Sequence, residues 1–257
     1  MSILMEMNGE QYINSAQKYD KVILPVGSCE SHGYHLPHGT DTFAADKLSR
    51  LVAERVPGLL VLPPVNVGLS HHYDAFPFTL SLQPQTLIQV LQDILESVIK
   101  NGVKRIFIMN GHDGNIEPIE LAARTAKVKH PEVFIASLDA WWVAGCRLLP
   151  PGTFEVWDGL GHAGEGETSL ALSLFPEFVN MEAARGVTPD LPLNVNIKWL
   201  FEELTDVGAT GDPTKAEKHK GDMMRDALVA EIVSFFQDME AKNWDYSHNR
   251  KAGGVNI

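Results

Sequence analysis

Residues 21–65, KVILPVGSCESHGYHLPHGTDTFAADKLSRLVAERVPGLLVLPPV, decide the fold class that we predict for this chain. The stretch opens with a short apolar run, Lys21–Val26, and closes with a second one at residues 59–65. Between them, residues 41–56 repeat apolar side chains with helical spacing. A strand, a crossover helix and a second strand form a βαβ unit, whose two strands lie parallel in one sheet.

The same alternation continues along the chain. Strand-length apolar runs recur at residues 105–109 and 133–138, with helical spacing at residues 85–100 and 116–128. We therefore predict an α/β fold, with a mainly parallel sheet covered by helices on both faces, in a single domain over residues 1–257. After Asp139 the pattern becomes irregular and predicts a loop excursion. Helices are predicted again at residues 165–174 and 215–242.

The composition limits the classes of partner. The 257 residues are 44% hydrophobic and carry a net charge of −12, which argues against nucleic acid or an anionic membrane surface, since both favour a basic face. A neutral or cationic small-molecule substrate is easier to accommodate, although the charge of a bound metal could still hold an anion. The two cysteines are far apart and give no disulfide framework, and no run reaches the roughly 18 apolar residues of a membrane span. We expect a soluble, cytoplasmic protein.

Most histidines fall in loops, many of them directly after a predicted strand. In open α/β sheets, ligands bind beyond the carboxyl ends of the strands. The histidines in such positions are His32, His35, His38, His71, His72, His112 and His162. Their placement predicts a functional site at this edge of the sheet.

The loop after the first strand has the composition of a metal site. Glu30 and His32 are two residues apart, so an extended backbone points both side chains the same way. Zn, Mn and Fe(II) accept such mixed nitrogen and oxygen ligands. Asp41 follows near the start of the next helix, where Asp is also a favoured N-cap. Beside Glu30 and His32, we interpret Asp41 as a ligand.

A second motif, NGHDGN at residues 110–115, ends a strand ahead of a helix. A turn capped by Asn115 would explain its glycines, which allow positive φ and close backbone approach. A cap does not explain a histidine at the tip, so we interpret His112 as functional.

A third motif, HAGEGETS at residues 162–169, supplies an imidazole and two carboxylates. If the helix has already begun at His162, then His162 and Glu165 share one face, and Glu167 points about 200° away from Glu165. If the backbone is still extended at Gly164, this order changes. Both glutamates therefore remain candidates.

Three weaker signals have alternative structural interpretations. Cys29 could be a nucleophile, but nothing around it in sequence supplies the positive charge that lowers a thiol pKa, so a buried structural cysteine is favoured. His71 and His72 either line the pocket or face solvent. Trp141, Trp142 and Trp157 could form an aromatic wall over a small substrate ring. The alternative is that they pack in the core or at an oligomer interface.

Taken together, these motifs resemble the creatininase, or creatinine amidohydrolase, family. The resemblance covers nearly the whole chain in five ordered blocks: residues 24–41, residues 76–82 (FPFTLSL), residues 110–115, residues 162–169 and residues 211–221 (GDPTKAEKHKG). It implies an α/β/α sandwich, a centre of two divalent metal ions and hydrolysis of non-peptide C–N bonds. It also implies a homo-oligomer, commonly a hexamer.

The resemblance also implies roles for individual residues. By position, Glu30, Asp41 and His112 would hold one metal, while His32 and Asp41 would hold the other, with Asp41 bridging. His162 matches the proton-transfer group. With it we assign Glu167 as catalytic, and we assign substrate binding to His72, Thr79, Asp113 and Trp157.

One departure from the family pattern concerns the second metal site. True creatininases carry a glutamate where this chain has Gly114, and an apolar residue where it has Glu165. We therefore predict that Glu165 completes the second site and that creatinine is not the substrate. Phe78, where much of the family has glycine, would reshape the pocket.

The resulting prediction is a dinuclear metal-dependent hydrolase, with Zn, Mn or Fe, that acts on a small cyclic amide, a formamide or a related compound. One alternative is hydrolysis of a cyclic ketone or lactone, such as an inosose derivative, at the same centre. Another is a catalytically silent oligomer stabilised by metal.

Overall fold

The computed structural model describes residues 2–15, 18–192, 194–195 and 197–245. Four strands form one parallel sheet in the order β2-β1-β3-β4. Their bounds are β1 (Lys21–Val26), β2 (Leu59–Val61), β3 (Arg105–Asn110) and β4 (Phe134–Leu138). The predicted parallel sheet is confirmed, although β2 is shorter than its apolar run.

Seven α-helices lie in the described part of the chain: α1 (Gly9–Ser15), α2 (Thr40–Ala53), α3 (Pro84–Lys100), α4 (Ile116–Lys129), α5 (Trp141–Leu148), α6 (Glu165–Leu174) and α7 (Lys218–Ala241). Helices α2, α3 and α4 connect successive parallel strands, as βαβ units require. Within the described ranges, none of the helices is long and apolar enough to cross a membrane.

The sheet buries both of its faces because side chains alternate along each strand. On β1, Val22 and Leu24 join a core with α3 and α4, whereas Ile23 joins a second core with α2, α6 and α7. On α3, apolar residues four apart form a fully buried stripe of Leu87, Leu91 and Leu95. Burying each such leucine stabilises the fold by about 1.5–3 kcal/mol. The predicted helical layers on both faces are confirmed.

The segment after β4 differs from the prediction. It begins with a short helix, α5, instead of a loop, and this helix buries Trp141 and Gly145. A Cβ on Gly145 would lie 2.7 Å from Met224 Cγ, so α5 lies directly against α7. Its eight residues form only slightly more than two turns, too few for a clear apolar period in the sequence.

Two glycines allow the start of α2 to lie against the carboxyl ends of β1 and β3. A Cβ on Gly27 would lie 2.3 Å from Thr42 Oγ1, and one on Gly111 would lie 2.2 Å from the carbonyl oxygen of Asp41. Any side chain at these positions would push the helix away. The close approach brings Asp41 next to the loops that follow β1 and β3.

Candidate metal centre

Four side chains from three segments meet at this edge of the sheet. Glu30 and His32 come from the loop after β1, Asp41 from the first turn of α2, and His112 from the loop after β3. All four are at most 3% exposed. His32 Nε2 lies 2.9 Å from Asp41 Oδ1, and His112 Nδ1 lies 3.3 Å from Asp41 Oδ2. His112 Nδ1 also lies 3.2 Å from Glu30 Oε1.

Several polar atoms in this cluster have no hydrogen-bond partner. They are both carboxylate oxygens of Glu30, Nε2 of His32 and Oδ2 of Asp41. Leaving a buried polar atom unpaired costs about 1–3 kcal/mol, and more for a charged group. A divalent cation would satisfy all of these atoms, and mixed carboxylate and imidazole ligands suit Zn, Mn or Fe(II). The residues present therefore fit a metal centre.

The ligand atoms form two overlapping groups. Glu30, Asp41 and His112 form one, and Glu30, His32 and His162 form the other, with the atoms of each group within 4.8 Å of one another. His162 Nδ1 lies 3.9 Å from Glu30 Oε1. Asp41 faces a different histidine with each oxygen, as a bridging carboxylate would, and Glu30 also lies between two histidines.

Backbone carbonyls orient the three histidines. His112 Nε2 donates to the carbonyl of Leu69 at 2.9 Å, and His162 Nε2 donates to the carbonyl of Ser31 at 2.7 Å. His32 Nδ1 lies 3.3 Å from the carbonyl of Glu30. In each ring, one nitrogen is held by the main chain and the other is left for the cluster. A hydrogen bond from the other ring nitrogen to a backbone carbonyl fixes the tautomer of a metal-binding histidine.

The alternative capping roles are not observed. Gly39 occupies the N-cap of α2, and Asp41 makes no capping bond there. Asn115 does precede α4, but its side chain donates to the carbonyl of Gly27 at 3.0 Å and accepts from the amide of Leu69 at 3.1 Å. It therefore ties the loops of the site together instead of capping the helix.

The carboxylates and imidazoles of the cluster shift each other's pKa values. Burial alone would lower the pKa of His32, but the Asp41 and Glu30 carboxylates raise it to about 9. Burial alone would raise the pKa of Asp41, but contacts with His32 and His112 lower it to about 2. The imidazoles next to the carboxylate therefore keep Asp41 ionised.

Glu165 does not lie in this cluster. Its Oε1 accepts a hydrogen bond from Lys220 Nζ at 2.7 Å, and its Oε2 accepts from the amides of Glu155 and Val156. The structure therefore does not bring Glu165 to the cluster in which it was predicted to complete the second metal site. The helical register assumed for it fails because α6 begins only at Glu165, after Ala163 at φ 50° and Gly164 in extended conformation.

Glu167 lies where Glu165 was expected. It lines the same cavity as Asp41 and His162, and its Oε2 accepts from the amide of Ala163 at 2.6 Å. Burial raises the pKa of Glu167 to about 7, although the neighbouring His32 charge lowers it.

Gly114 cannot carry the glutamate that is missing from this chain. A Cβ there would lie 2.1 Å from the carbonyl oxygen of Leu69 and 2.7 Å from His112 Nε2. That carbonyl is the acceptor that orients His112. A side chain at this position would displace His112, a candidate ligand.

A cavity of about 260 Å³ opens beside the cluster. Its polar lining comprises Asp41, His112, Asp113, His162 and Glu167, and its apolar lining comprises Tyr73, Trp142, Val143 and Leu160. Among the described residues, no lysine or arginine lines it. This arrangement suits a small neutral or cationic molecule.

The structure places two of the four predicted substrate-binding residues at or near the cavity and the other two outside its lining. Asp113 lines the cavity, and the ring of His72 lies 6.0 Å from that of His112. Thr79 and Trp157 do not line the cavity. The Thr79 hydroxyl accepts a hydrogen bond from the amide of Ser31, and Trp157 is 38% exposed.

Of the remaining candidates, Trp142 lines the cavity, whereas Trp141 is a core residue at 1% exposure. Tyr73 was missed, although it directly follows His72; its buried ring lies 4.5 Å from that of His162. Burial and the Glu30 and Asp41 charges raise the pKa of Cys29, which disfavours a nucleophilic thiolate.

Fold and site together define a class: α/β proteins with a buried carboxylate and imidazole centre at the carboxyl edge of a parallel sheet. The family profile for creatinine amidohydrolase (creatininase) matches residues 5–236. The chain belongs to the creatininase family.

Its relatives are hydrolases with different substrates. The creatinine amidohydrolase of Pseudomonas putida is 33% identical over 175 residues, covering 63% of this chain and 66% of that protein. The mycofactocin precursor peptide peptidase of Mycolicibacterium smegmatis is 32% identical over 236 residues, covering 89% and 87%. The 3-dehydro-scyllo-inosose hydrolase of Thermotoga maritima is 29% identical over 188 residues, covering 71% and 59%.

Solved creatininase structures share the fold. One creatinine amidohydrolase crystal structure has a TM-score of 0.81 at 27% identity, covering 92% of this chain and 97% of that one. A manganese creatininase (TM-score 0.78, 27% identity, 92% and 98% covered) and a Zn–Zn creatininase variant (TM-score 0.77, 28% identity, 92% and 97% covered) are also similar.

Proposed function

We propose that this chain is a metal-dependent hydrolase that binds two divalent ions and cleaves the C–N bond of a small cyclic amide, formamide or related compound. The observation that carries the proposal is the set of buried, unpaired ligand atoms on Glu30, His32 and Asp41, at the edge of a cavity that also contains His162. The amidohydrolase and peptidase names of two relatives support C–N cleavage as the chemistry.

We propose two ligand sets. Glu30, Asp41 and His112, whose candidate ligand atoms lie within 4.8 Å of one another, would hold one ion. His32 and Asp41, which are 2.9 Å apart, would hold the other together with Glu167, which lines the same cavity as Asp41. Bound divalent ions polarise a substrate carbonyl and make water more acidic. Glu167, which the sequence suggested as a catalytic residue, is here proposed as the ligand that replaces the glutamate missing at Gly114.

His162 is proposed to move the proton. Burial, together with the nearby His32 charge, lowers the pKa of His162 well below its usual value, so the ring is neutral near pH 7. Its Nε2 hydrogen is donated to the carbonyl of Ser31, which leaves a lone pair on Nδ1. Nδ1 can accept a proton from the attacking water and give it to the departing nitrogen.

The lining of the cavity supports a small substrate without a carboxylate group. Asp113 and Glu167 add negative charge, and Trp142 and Leu160 supply apolar surface for a ring. An anionic group beside Asp113 would meet unfavourable charge, whereas bound divalent ions would attract an anion placed next to them. We propose a neutral or cationic substrate.

A second candidate keeps the same centre and hydrolyses a cyclic ketone such as an inosose derivative. Its support is the 29% identity to the inosose hydrolase. A silent, metal-stabilised oligomer is disfavoured because the ligand cluster borders an open cavity that also contains His162.

Metal analysis and a substrate screen test the proposal together. Protein purified without chelator is expected to contain two divalent ions per chain by plasma emission. It is then assayed on cyclic amides, formamides, short peptides and inososes. Turnover of inososes alone would favour the second candidate, and metal-loaded protein inactive on all four groups would contradict the proposed hydrolase.

The assembly stays a prediction. We propose a homo-oligomer, with a hexamer expected, and the exposed apolar side chains of Phe78 (85%), Tyr34 (66%) and Leu80 (49%) support it. Light scattering of the purified protein measures its mass directly.

A further inference from the structure

Glu165 is a fully buried carboxylate whose bonds join three segments. Oε1 accepts from Lys220 Nζ of α7 at 2.7 Å, and Oε2 accepts from the amides of Glu155 at 2.8 Å and Val156 at 3.1 Å. Lys220 also donates to the carbonyl of Lys215 at 3.0 Å. The carboxylate therefore links the start of α6 to α7 and to the loop that precedes α6.

The backbone of that loop is strained. Trp157, Asp158 and Ala163 have φ values of 48°, 53° and 50°, in the left-handed region that disfavours side chains. Such a conformation is unfavourable for a residue with a side chain, and surrounding contacts must hold it in place. Gly159 and Gly161 also have positive φ, at 86° and 115°.

The strained loop leads directly into the site. Leu160, Gly161 and His162 all line the cavity. The downstream end of the loop is held by Thr210, whose Oγ1 accepts from the amide of His162 at 2.9 Å and whose amide donates to the carbonyl of His162 at 2.8 Å. The upstream end is held by Glu165.

We propose that Glu165, paired with Lys220, is a positioning residue that holds residues 155–161 against α6 and so fixes the place of His162 in the cavity. The effect of Glu165 on turnover rests on the proposed function, because His162 is the group that Glu165 positions. The effect of Glu165 on the loop is independent of the proposed function.

The main test compares Glu165→Ala with the double variant Glu165→Gln/Lys220→Met. Alanine removes the acceptor for both loop amides. We expect kcat to fall roughly 10- to 100-fold with KM within about threefold, since a small misplacement of a catalytic group has effects of this size. Hydrogen exchange at the amides of Glu155 and Val156 should accelerate, and both metal ions should remain bound.

The double variant should restore most of the turnover. Glutamine still offers an oxygen to the two amides, and methionine removes the lysine charge that would otherwise be buried without its partner. We expect its kcat to lie within about threefold of wild type, and to exceed that of Glu165→Gln alone. Glu217→Gln is the matched control. Glu217 also faces Lys220, with Oε1 3.5 Å from Nζ, but its side chain is 61% exposed. It should behave as wild type.

Unchanged exchange at both amides in Glu165→Ala would overturn the inference, and so would the loss of one ion. If Glu165→Ala does not fold, the double variant decides: slow exchange with near-normal kcat supports the inference, and fast exchange or a low kcat overturns it. Failure of the proposed hydrolase is recognised separately, as a wild-type protein with no turnover on any compound. The exchange and metal measurements still decide the role of Glu165 in that case.

Discussion

Asp41 contacts two of the histidines in the cluster. Its two oxygens lie 2.9 Å and 3.3 Å from different histidines, His32 and His112, and its side chain is buried. A carboxylate in this position would contribute to both metal sites at once, so its loss should affect both.

Asp41→Ala is expected to lose both ions, because neither remaining ligand set is complete without the bridging carboxylate. Plasma emission on the purified variant measures the loss. Asp46→Ala is the control on the same helix. Asp46 does not belong to the cluster, and its Oδ2 lies 2.7 Å from Arg50 Nε. Full metal content in Asp41→Ala would rule out the bridge.

Glu167→Gln is expected to lose one of the two ions. The amide is a weaker ligand than the carboxylate, and the chain has no glutamate at position 114 to replace it. Metal content per chain is the measurement. A variant that retains both ions would remove Glu167 from the ligand set and leave it as a candidate acid or base.

His162→Asn is expected to lower kcat by about 10²–10⁴, the usual contribution of a positioned acid or base, with a smaller effect on KM. Both ions should remain bound. Steady-state kinetics and metal analysis on the same preparation separate the two roles. Loss of an ion would instead make His162 a ligand, in agreement with its place beside Glu30 and His32.

At the scale of elements, the crossing of α6 and α7 depends on one glycine. A Cβ on Gly221 of α7 would lie 1.8 Å from the carbonyl oxygen of Ser169 on α6. The Ser169 hydroxyl also accepts from the amide of Glu217, just before α7, at 3.1 Å. The two helices carry Glu165 and Lys220, so their separation would also disturb the loop that leads to His162.

Gly221→Ala is therefore expected to destabilise the protein by about 1–3 kcal/mol or more, the usual range for overpacking. Urea unfolding should show a lower midpoint. Gly9→Ala is the control, because no heavy atom lies within 4 Å of its added Cβ. Equal midpoints for wild type and Gly221→Ala would mean that the helices can move apart without cost.

At the scale of the whole molecule, we expect His35 to link folding stability to pH. Its Nε2 donates to Thr168 Oγ1 at 3.0 Å, and its buried Nδ1 has no partner. Burial first, and then the nearby His32 charge, lower the pKa of His35 to about 4, against 6.5 for an exposed histidine. Between these values the unfolded chain binds more protons than the folded chain.

Stability is therefore expected to fall as pH decreases from 6.5 to 4, with His35 contributing at most about 3 kcal/mol. His35→Gln keeps a donor for Thr168 without the titration, so its stability should depend less on pH. Urea unfolding of metal-free protein at pH 7 and pH 4.5 measures the difference. Identical pH dependence in the two proteins would exclude His35 as the cause.

The strands and the main helices could be predicted because apolar periodicity is a local property of the sequence. Lys21–Val26 and residues 85–100 show it clearly. Helix α5 was missed because two turns contain too few repeats. The motif around Glu30, His32 and Asp41 could likewise be identified, since its ligand types lie close together in the chain.

By itself, the sequence determined the α/β class, the edge of the sheet at which the site forms, and the residue types that gather there. Only the tertiary structure decided which glutamate faces the cavity. That choice depends on the left-handed backbone of Ala163 and on the pairing of Glu165 with Lys220, 55 positions away. Side-chain direction depends on backbone dihedral angles and on partners distant in sequence, and neither is encoded in local spacing.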